Sequence, residues 1–267
     1  MTPPSPEVRY FDTRSTRRRV LVGVAAALVL GAGVGAVLVG TDVLSGDGAD
    51  DAEGGRTSVV LDDPATQIDE AAEAAAAGAE VTWTSAAVVG DSITAGSRAA
   101  IEEVLGARGF TTITIDGEPS RRIEIGNGTS EALSGVKALY EMIAEGVAPD
   151  VWVIALGTND VGQYATEEEY GALIDLILTM LPADVPLVWV DTFRPQYPDE
   201  NRMFNDVLNQ RIADRGNAAV ASWFTVASGN TEAILQGDQI HPNDEGVVAF
   251  ANVVYAGMQD AAEQIAA

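Results

Sequence analysis

One histidine serves the whole chain: His241, in Asp238-Gln239-Ile240-His241-Pro242 near the C-terminal end. Far upstream, the apolar run Ala86-Ala87-Val88-Val89 ends in Gly90-Asp91-Ser92-Ile93-Thr94. A hydroxyl on a turn after a strand, an imidazole, and a carboxylate one helical turn before it are the components of a nucleophile–base–orienter relay. Serine is a weak nucleophile until a base removes its proton. Imidazole, with a reference pKa of about 6.5, can do so near neutrality. From position 238 a carboxylate can bond the imidazole Nδ1–H, set the tautomer and stabilise the imidazolium. Ser92, His241 and Asp238 are therefore the expected catalytic residues, and no other base of this type exists in the chain.

Acyl transfer through such a relay also needs donors for a developing oxyanion. The Ser92 backbone amide at a strand-to-helix turn is one expected donor, and the Asn159 side-chain amide in Gly157-Thr158-Asn159-Asp160 is a second. A third would come from the loop between Gly117 and Arg121.

The elements that must position these groups are legible from Val81 onward, where strand and helix patterns alternate. Strands are expected near 84–89, 111–116, 150–156, 185–191 and 218–224, and helices near 95–107, 130–145, 167–181, 201–214 and 244–264. Val151 to Leu156 and Val185 to Val190 are nearly continuous apolar runs, as in strands buried on both faces of a parallel sheet. Alternating β and α elements imply a three-layer α/β/α fold with right-handed crossovers, whose active sites collect at the carboxyl ends of the strands. All three motifs fall at that edge.

Composition narrows the chemistry. The chain has no cysteine, so a disulfide framework, a thiolate metal site and a thiol nucleophile are excluded. A formal net charge of -25 argues against nucleic-acid binding, which needs clustered Lys and Arg. The charge is uneven: Arg9, Arg14, Arg17, Arg18 and Arg19 outweigh Glu7 and Asp12 before residue 41, and the acidic excess lies beyond it.

Val20 to Gly40 is a run of 21 residues without a charge. At about 1.5 Å per residue it can cross a ~30 Å hydrocarbon core. Basic residues before it and acidic ones after it place the N-terminus in the cytoplasm and export the rest. Signal-peptide apolar regions are shorter and end at an Ala-x-Ala-like site, so the run reads as an uncleaved signal-anchor. Thr16-Arg17-Arg18-Arg19-Val20-Leu21 also fits a twin-arginine export signal, although arginines that only set orientation explain it as well. The expected organisation is a basic cytoplasmic segment 1–19, a transmembrane segment 20–40, an acidic and Ala-rich linker and stalk 41–80, and a catalytic domain 81–267. Asn127-Gly128-Thr129 matches a glycosylation pattern but reads as a loop.

Gly90-Asp91-Ser92, Gly157-Thr158-Asn159-Asp160 and Asp238-Gln239-Ile240-His241 resemble, in order and spacing, blocks I, III and V of the SGNH/GDSL hydrolases. The resemblance covers roughly residues 84–264. It implies a flavodoxin-like α/β/α fold, a Ser92/His241/Asp238 triad, Asn159 in the oxyanion hole, and neither a metal nor an organic cofactor. Block II departs from the usual pattern, where a Gly supplies a backbone N–H after the second strand. Gly117 is a candidate by residue type. The spacing of Ile115-Asp116 from Arg121, however, resembles the SGNH domains of bacterial cell-envelope acyltransferases, where the corresponding position is Ser120 with an adjacent Arg. The second backbone donor is thus Gly117 or Ser120, and Arg121 is a candidate contact for a polar or anionic substrate.

The leading expectation is a membrane-anchored, extracytoplasmic serine esterase acting on an acyl ester of a glycan, a lipid or a small molecule. An O-acyltransferase acting on envelope glycan, with a separate membrane protein as acyl donor, is the alternative. A non-catalytic envelope binding protein is the third reading, and its sign would be loss of a relay residue. The segment Thr192 to Pro198 adds an aromatic and polar composition suited to a sugar-sized surface.

Overall fold

The computed structural model describes residues 80–125 and 133–266. The expected anchor 20–40, its flanks and the stalk, and the Asn127 loop, lie outside the described residues. Within them, no helix is long and apolar enough to cross a membrane.

Five strands form one sheet in the order β2-β1-β3-β4-β5: β1 (Ser85–Gly90), β2 (Thr112–Gly117), β3 (Val151–Ala155), β4 (Leu187–Val190) and β5 (Ala218–Ala221). Every pairing is parallel. Among the described residues, seven helices accompany them: α1 (Ser92–Ala107), α2 (Gly135–Ala144), α3 (Glu167–Met180), α4 (Pro198–Arg215), α5 (Trp223–Gly229), α6 (Thr231–Ile234) and α7 (Asp244–Ala266). This is the expected α/β/α arrangement with the flavodoxin-like strand order.

Side chains alternate across the sheet and build two cores. Ala86, Val88, Val153 and Val188 face α1 and α7, and pack with Trp223 and Phe250. Ala87, Val89, Trp152, Ile154 and Trp189 face α2, α3 and α4, and pack with Tyr170 and Phe204. Because both faces are covered, β3 and β4 carry no polar residue, and β1 none between Ser85 and its carboxyl edge. Gly90, Asp91 and Asp191 then appear within one residue of strand ends.

Several boundaries differ from expectation. The fifth strand, expected to reach 224, stops at Ala221, and Trp223 opens α5. Asp191, just past β4, accepts the Phe224 amide at 2.6 Å and so caps this short helix from the neighbouring strand. A tertiary cap of this kind leaves no local signal. The helix expected from residue 130 starts at Gly135, where the Ser134 hydroxyl caps the Lys137 amide at 3.3 Å.

Candidate active site

Ser92 is the first residue of α1, and Asp91 is its N-cap. The Asp91 carboxylate accepts the Ile93 amide at 2.9 Å. The Ser92 amide has no protein acceptor among the described residues. An unpartnered N–H at a helix N-terminus, beside a nucleophilic hydroxyl, suits a developing anion.

The structure brings the three relay residues together across the fold. Ser92 Oγ lies 2.9 Å from His241 Nε2. His241 Nδ1 lies 2.6 Å from Asp238 Oδ2. A carboxylate only accepts, so Nδ1–H donates to it, leaving Nε2 to accept from the serine hydroxyl. The side chains of His241 and Asp238 are 39% and 45% exposed, so the relay opens directly to solvent.

A compact turn holds His241 in place. Leu235 and Pro242 form an isolated antiparallel bridge, and the Gln236 amide donates to the His241 carbonyl at 2.8 Å. Asp238 Oδ1 accepts the Ile240 amide at 2.9 Å and the His241 amide at 3.0 Å. Gln239, between them, takes the left-handed conformation with φ +59, which a non-glycine residue adopts at a cost of about 1–2 kcal/mol. Burial works against charge on Asp238, but the His241 ring N–H and the two amides outweigh it and hold its pKa down to about 2. Asp238 thus stays an acceptor for the imidazole across the neutral range.

Asn159 follows β3. Its Nδ2 donates to the Arg121 carbonyl at 3.1 Å and to Asp91 Oδ2 at 3.3 Å. It therefore links the loop after β2 to the cap of α1. Asp160, fully buried, accepts the Ile123 amide at 3.1 Å, and the Arg122 Nε lies 3.5 Å away. Burial raises its pKa to about 6, against the opposing effects of the Ile123 amide and Arg122.

The expectation that Arg121 meets substrate is corrected. Arg121 is 2% exposed, and its guanidinium donates to the carbonyls of Gly90, Asp116 and Leu133 and to the Asp116 carboxylate. It ties the loop to the ends of β1 and β2. Gly117 still belongs to β2, paired with Gly90. An added Cβ there would lie 2.6 Å from the Ala95 backbone nitrogen, so its glycine is explained by close packing on α1. Ser120 instead has φ +60, and its amide has no protein acceptor among the described residues. It adjoins the residue whose carbonyl binds Asn159. Of the two candidates, Ser120 takes the left-handed backbone and Gly117 the extended one of an edge strand.

Two residues at this edge escaped sequence reasoning. Asp91 is 1% exposed and touches Asn159, which an aspartate at a turn before a helix does not announce. Gln196 donates from Nε2 to the Asp238 carbonyl at 3.1 Å, anchoring the Thr192–Pro198 loop to the relay. Only the composition of that loop hinted at such a place.

Fold and site together define an SGNH-type hydrolase or acyltransferase domain. The chain belongs to the GDSL-like lipase/acylhydrolase family, which it matches over residues 88–249. Comparison with curated proteins finds no match. Among solved structures, the C-terminal catalytic domain of peptidoglycan O-acetyltransferase A from Streptococcus pneumoniae is similar, at 19% identity and a TM-score of 0.52, over 67% of this chain and 94% of that one. A psychrotrophic esterase from Pseudoalteromonas sp. is similar at 16% identity and a TM-score of 0.50, over 66% of this chain and 97% of that one. At these identities the likeness is one of fold.

Two outcomes follow from the site geometry. Burial raises Asp91 and Asp191 to about 7 and Asp160 to about 6. Between about pH 4 and 7 the native protein holds protons that the unfolded chain, with ordinary carboxyls, releases, so stability falls as pH rises through this range. Asp238 acts oppositely, with stability lost as pH drops below about 4. Thermal unfolding should show the Tm climbing from about pH 8 to about pH 5 and turning down below about 4; a Tm that drops steadily from 8 to 5 contradicts the burial of these acids. Second, Ser120→Gly should unfold at slightly higher temperature, by about 1 kcal/mol of relieved left-handed strain, and keep its turnover. Lost activity in that variant would mean that the hydroxyl, not the backbone, does the work.

Proposed function

We propose that the chain is an extracytoplasmic serine esterase, anchored by residues 20–40, that hydrolyses a short acyl ester, acetyl foremost. The observation that carries this reading is the continuous relay from Ser92 Oγ through His241 to Asp238, at 2.9 and 2.6 Å. His241 takes the serine proton as Oγ attacks the ester carbonyl. The carbonyl oxygen becomes an oxyanion facing the Ser92 and Ser120 amides and the Asn159 side chain, which shares the N–H of its longer bond. Collapse expels the alcohol, which receives the proton from His241, and leaves an acyl-Ser92 ester. Water, deprotonated by His241, then attacks this ester and releases the acid and Ser92.

The surroundings support a large carrier on the alcohol side. The half-exposed imidazole leaves the alcohol side open. Beside it, Tyr197 is 37% exposed with the Arg194 guanidinium 5.7 Å from its ring centroid, a surface suited to a sugar ring.

A second reading is transfer of the acyl group to an envelope glycan. The left-handed Ser120 beside a buried Arg121 favours it, because that block resembles envelope acyltransferases. The similar Streptococcus pneumoniae domain is named for such a reaction on peptidoglycan. A single span cannot carry an acyl group across a bilayer, so a separate membrane protein would supply the donor.

The test is the full chain, incubated with para-nitrophenyl acetate with and without a soluble peptidoglycan or chitooligosaccharide acceptor, beside Ser92→Ala and His241→Ala. Ser92-dependent acetate release that ignores the acceptor supports the esterase. Ser92-dependent acetylated glycan supports the transferase. Both variants should lose several orders of magnitude in turnover with unchanged folding, and near-normal activity in either discards the relay.

A further inference from the structure

Asp91 lies where three parts of the site meet, and the serine mechanism above does not use it. Its carboxylate is 1% exposed and makes two contacts, each to a part of the catalytic apparatus. Oδ1 accepts the Ile93 amide, which fixes the first turn of α1 and with it Ser92. Oδ2 accepts the Asn159 Nδ2 at 3.3 Å. A helix cap needs only the first of these contacts. Ser, Thr or Asn caps a helix as well, so capping does not account for a buried acid here.

We propose that Asp91 is the positioning residue of the oxyanion hole, its carboxylate orienting the Asn159 amide relative to the Ser92 turn. This rests on the serine reading given above. The Asn159 amide has two hydrogens, and the Arg121 carbonyl takes one. The Asp91 carboxylate takes the other and so fixes the rotation of the Asn159 amide between the loop after β2 and the Ser92 turn. A charged acceptor also polarises the amide it binds.

The charge state of Asp91 matters to this arrangement. A proton on Oδ2 would turn the acceptor into a donor facing the Asn159 N–H, and the contact would be lost. Several groups bear on that charge. The burial of Asp91 opposes it and so does Asp160, while the Ile93 amide, His241 and Arg121 favour it, with the balance at about 7. Asp191 lines the same small cavity from the end of β4. Lowering the pH through about 7 therefore removes the ionised Asp91.

Asp91→Asn tests this directly. The variant keeps a good cap and the side-chain size, but cannot accept from both Ile93 and Asn159. In the full chain, with para-nitrophenyl acetate, kcat should fall by about 10²-fold with KM roughly unchanged. The acid limb of kcat/KM should lose the slope that Asp91 contributes near pH 7, which a purely structural role would not produce. Asn159→Ala combined with Asp91→Asn should be no slower than Asn159→Ala alone, because Asp91 acts through Asn159. Asp91→Ser, which also caps, should match Asp91→Asn and serves if that variant unfolds. Wild-type kcat in both cap variants, an unchanged slope, or additive losses in the double variant would each overturn the proposal. Ser92→Ala, run alongside, separates the two ideas: activity surviving in it rejects the serine reading itself. Loss in Ser92→Ala with normal Asp91 variants rejects only the role of Asp91.

Discussion

Gly90 has no room for a side chain: an added Cβ would lie 1.9 Å from Thr94 Oγ1 and 3.1 Å from the Ala155 carbonyl. The chain must leave the central strand β1 and enter α1 within one residue, and only glycine permits it. This junction decides where everything else stands. It buries Asp91 as the cap, presents Ser92 at the helix N-terminus, and leaves the Ser92 amide without a protein acceptor. Because β1 is bounded by β2 on one side and β3 on the other, the loops that follow those strands must converge on the same junction. Arg121 from one loop binds the Gly90 carbonyl, and Asn159 from the other binds Asp91. The parallel sheet thus assembles from separate segments what no local sequence could.

How much of this was legible depended on how singular each residue type is. His241 is the only histidine, and its Asp lies one turn away, so the relay could be paired from sequence across nearly 150 positions. The central strands were legible because burial on both faces demands uninterrupted apolar runs. Asp91 was illegible for the opposite reason: aspartate at a turn before a helix is ordinary, and only its depth in the fold reveals a second contact. Arg121 misled for a related cause. An arginine on a polar loop reads as exposed, and nothing in its neighbours announces that three carbonyls and a carboxylate wait for it. The difference between Gly117 and Ser120 is likewise one of backbone shape. Residue type favours the glycine, yet the left-handed φ belongs to the serine.

The same edge concentrates the features that oppose folding. Both left-handed non-glycine residues, Ser120 and Gln239, lie there, and so do the buried acids Asp91, Asp160 and Asp191. Each burdens the native state on its own, by strain or by desolvation of a carboxylate. In a chain of net charge -25, self-repulsion that favours expansion is a further cost. Such costs persist only where the surroundings over-determine the local structure. Here the two apolar cores, with Trp152, Trp189, Trp223, Phe204 and Phe250 all fully or nearly fully buried, supply that surplus away from the edge.

The division of labour explains the character of the relay itself. Asp238 is nearly half exposed, so water could compete for the imidazole, yet its pKa is held at about 2 by three N–H groups from its own turn. The order at that end comes from backbone hydrogen bonds within Gln236 to Pro242, not from burial. At the Ser92 end the reverse holds: position comes from burial, and the charges are costly. A buried nucleophile turn opposite an exposed, locally braced base leaves the relay open to solvent on the base side.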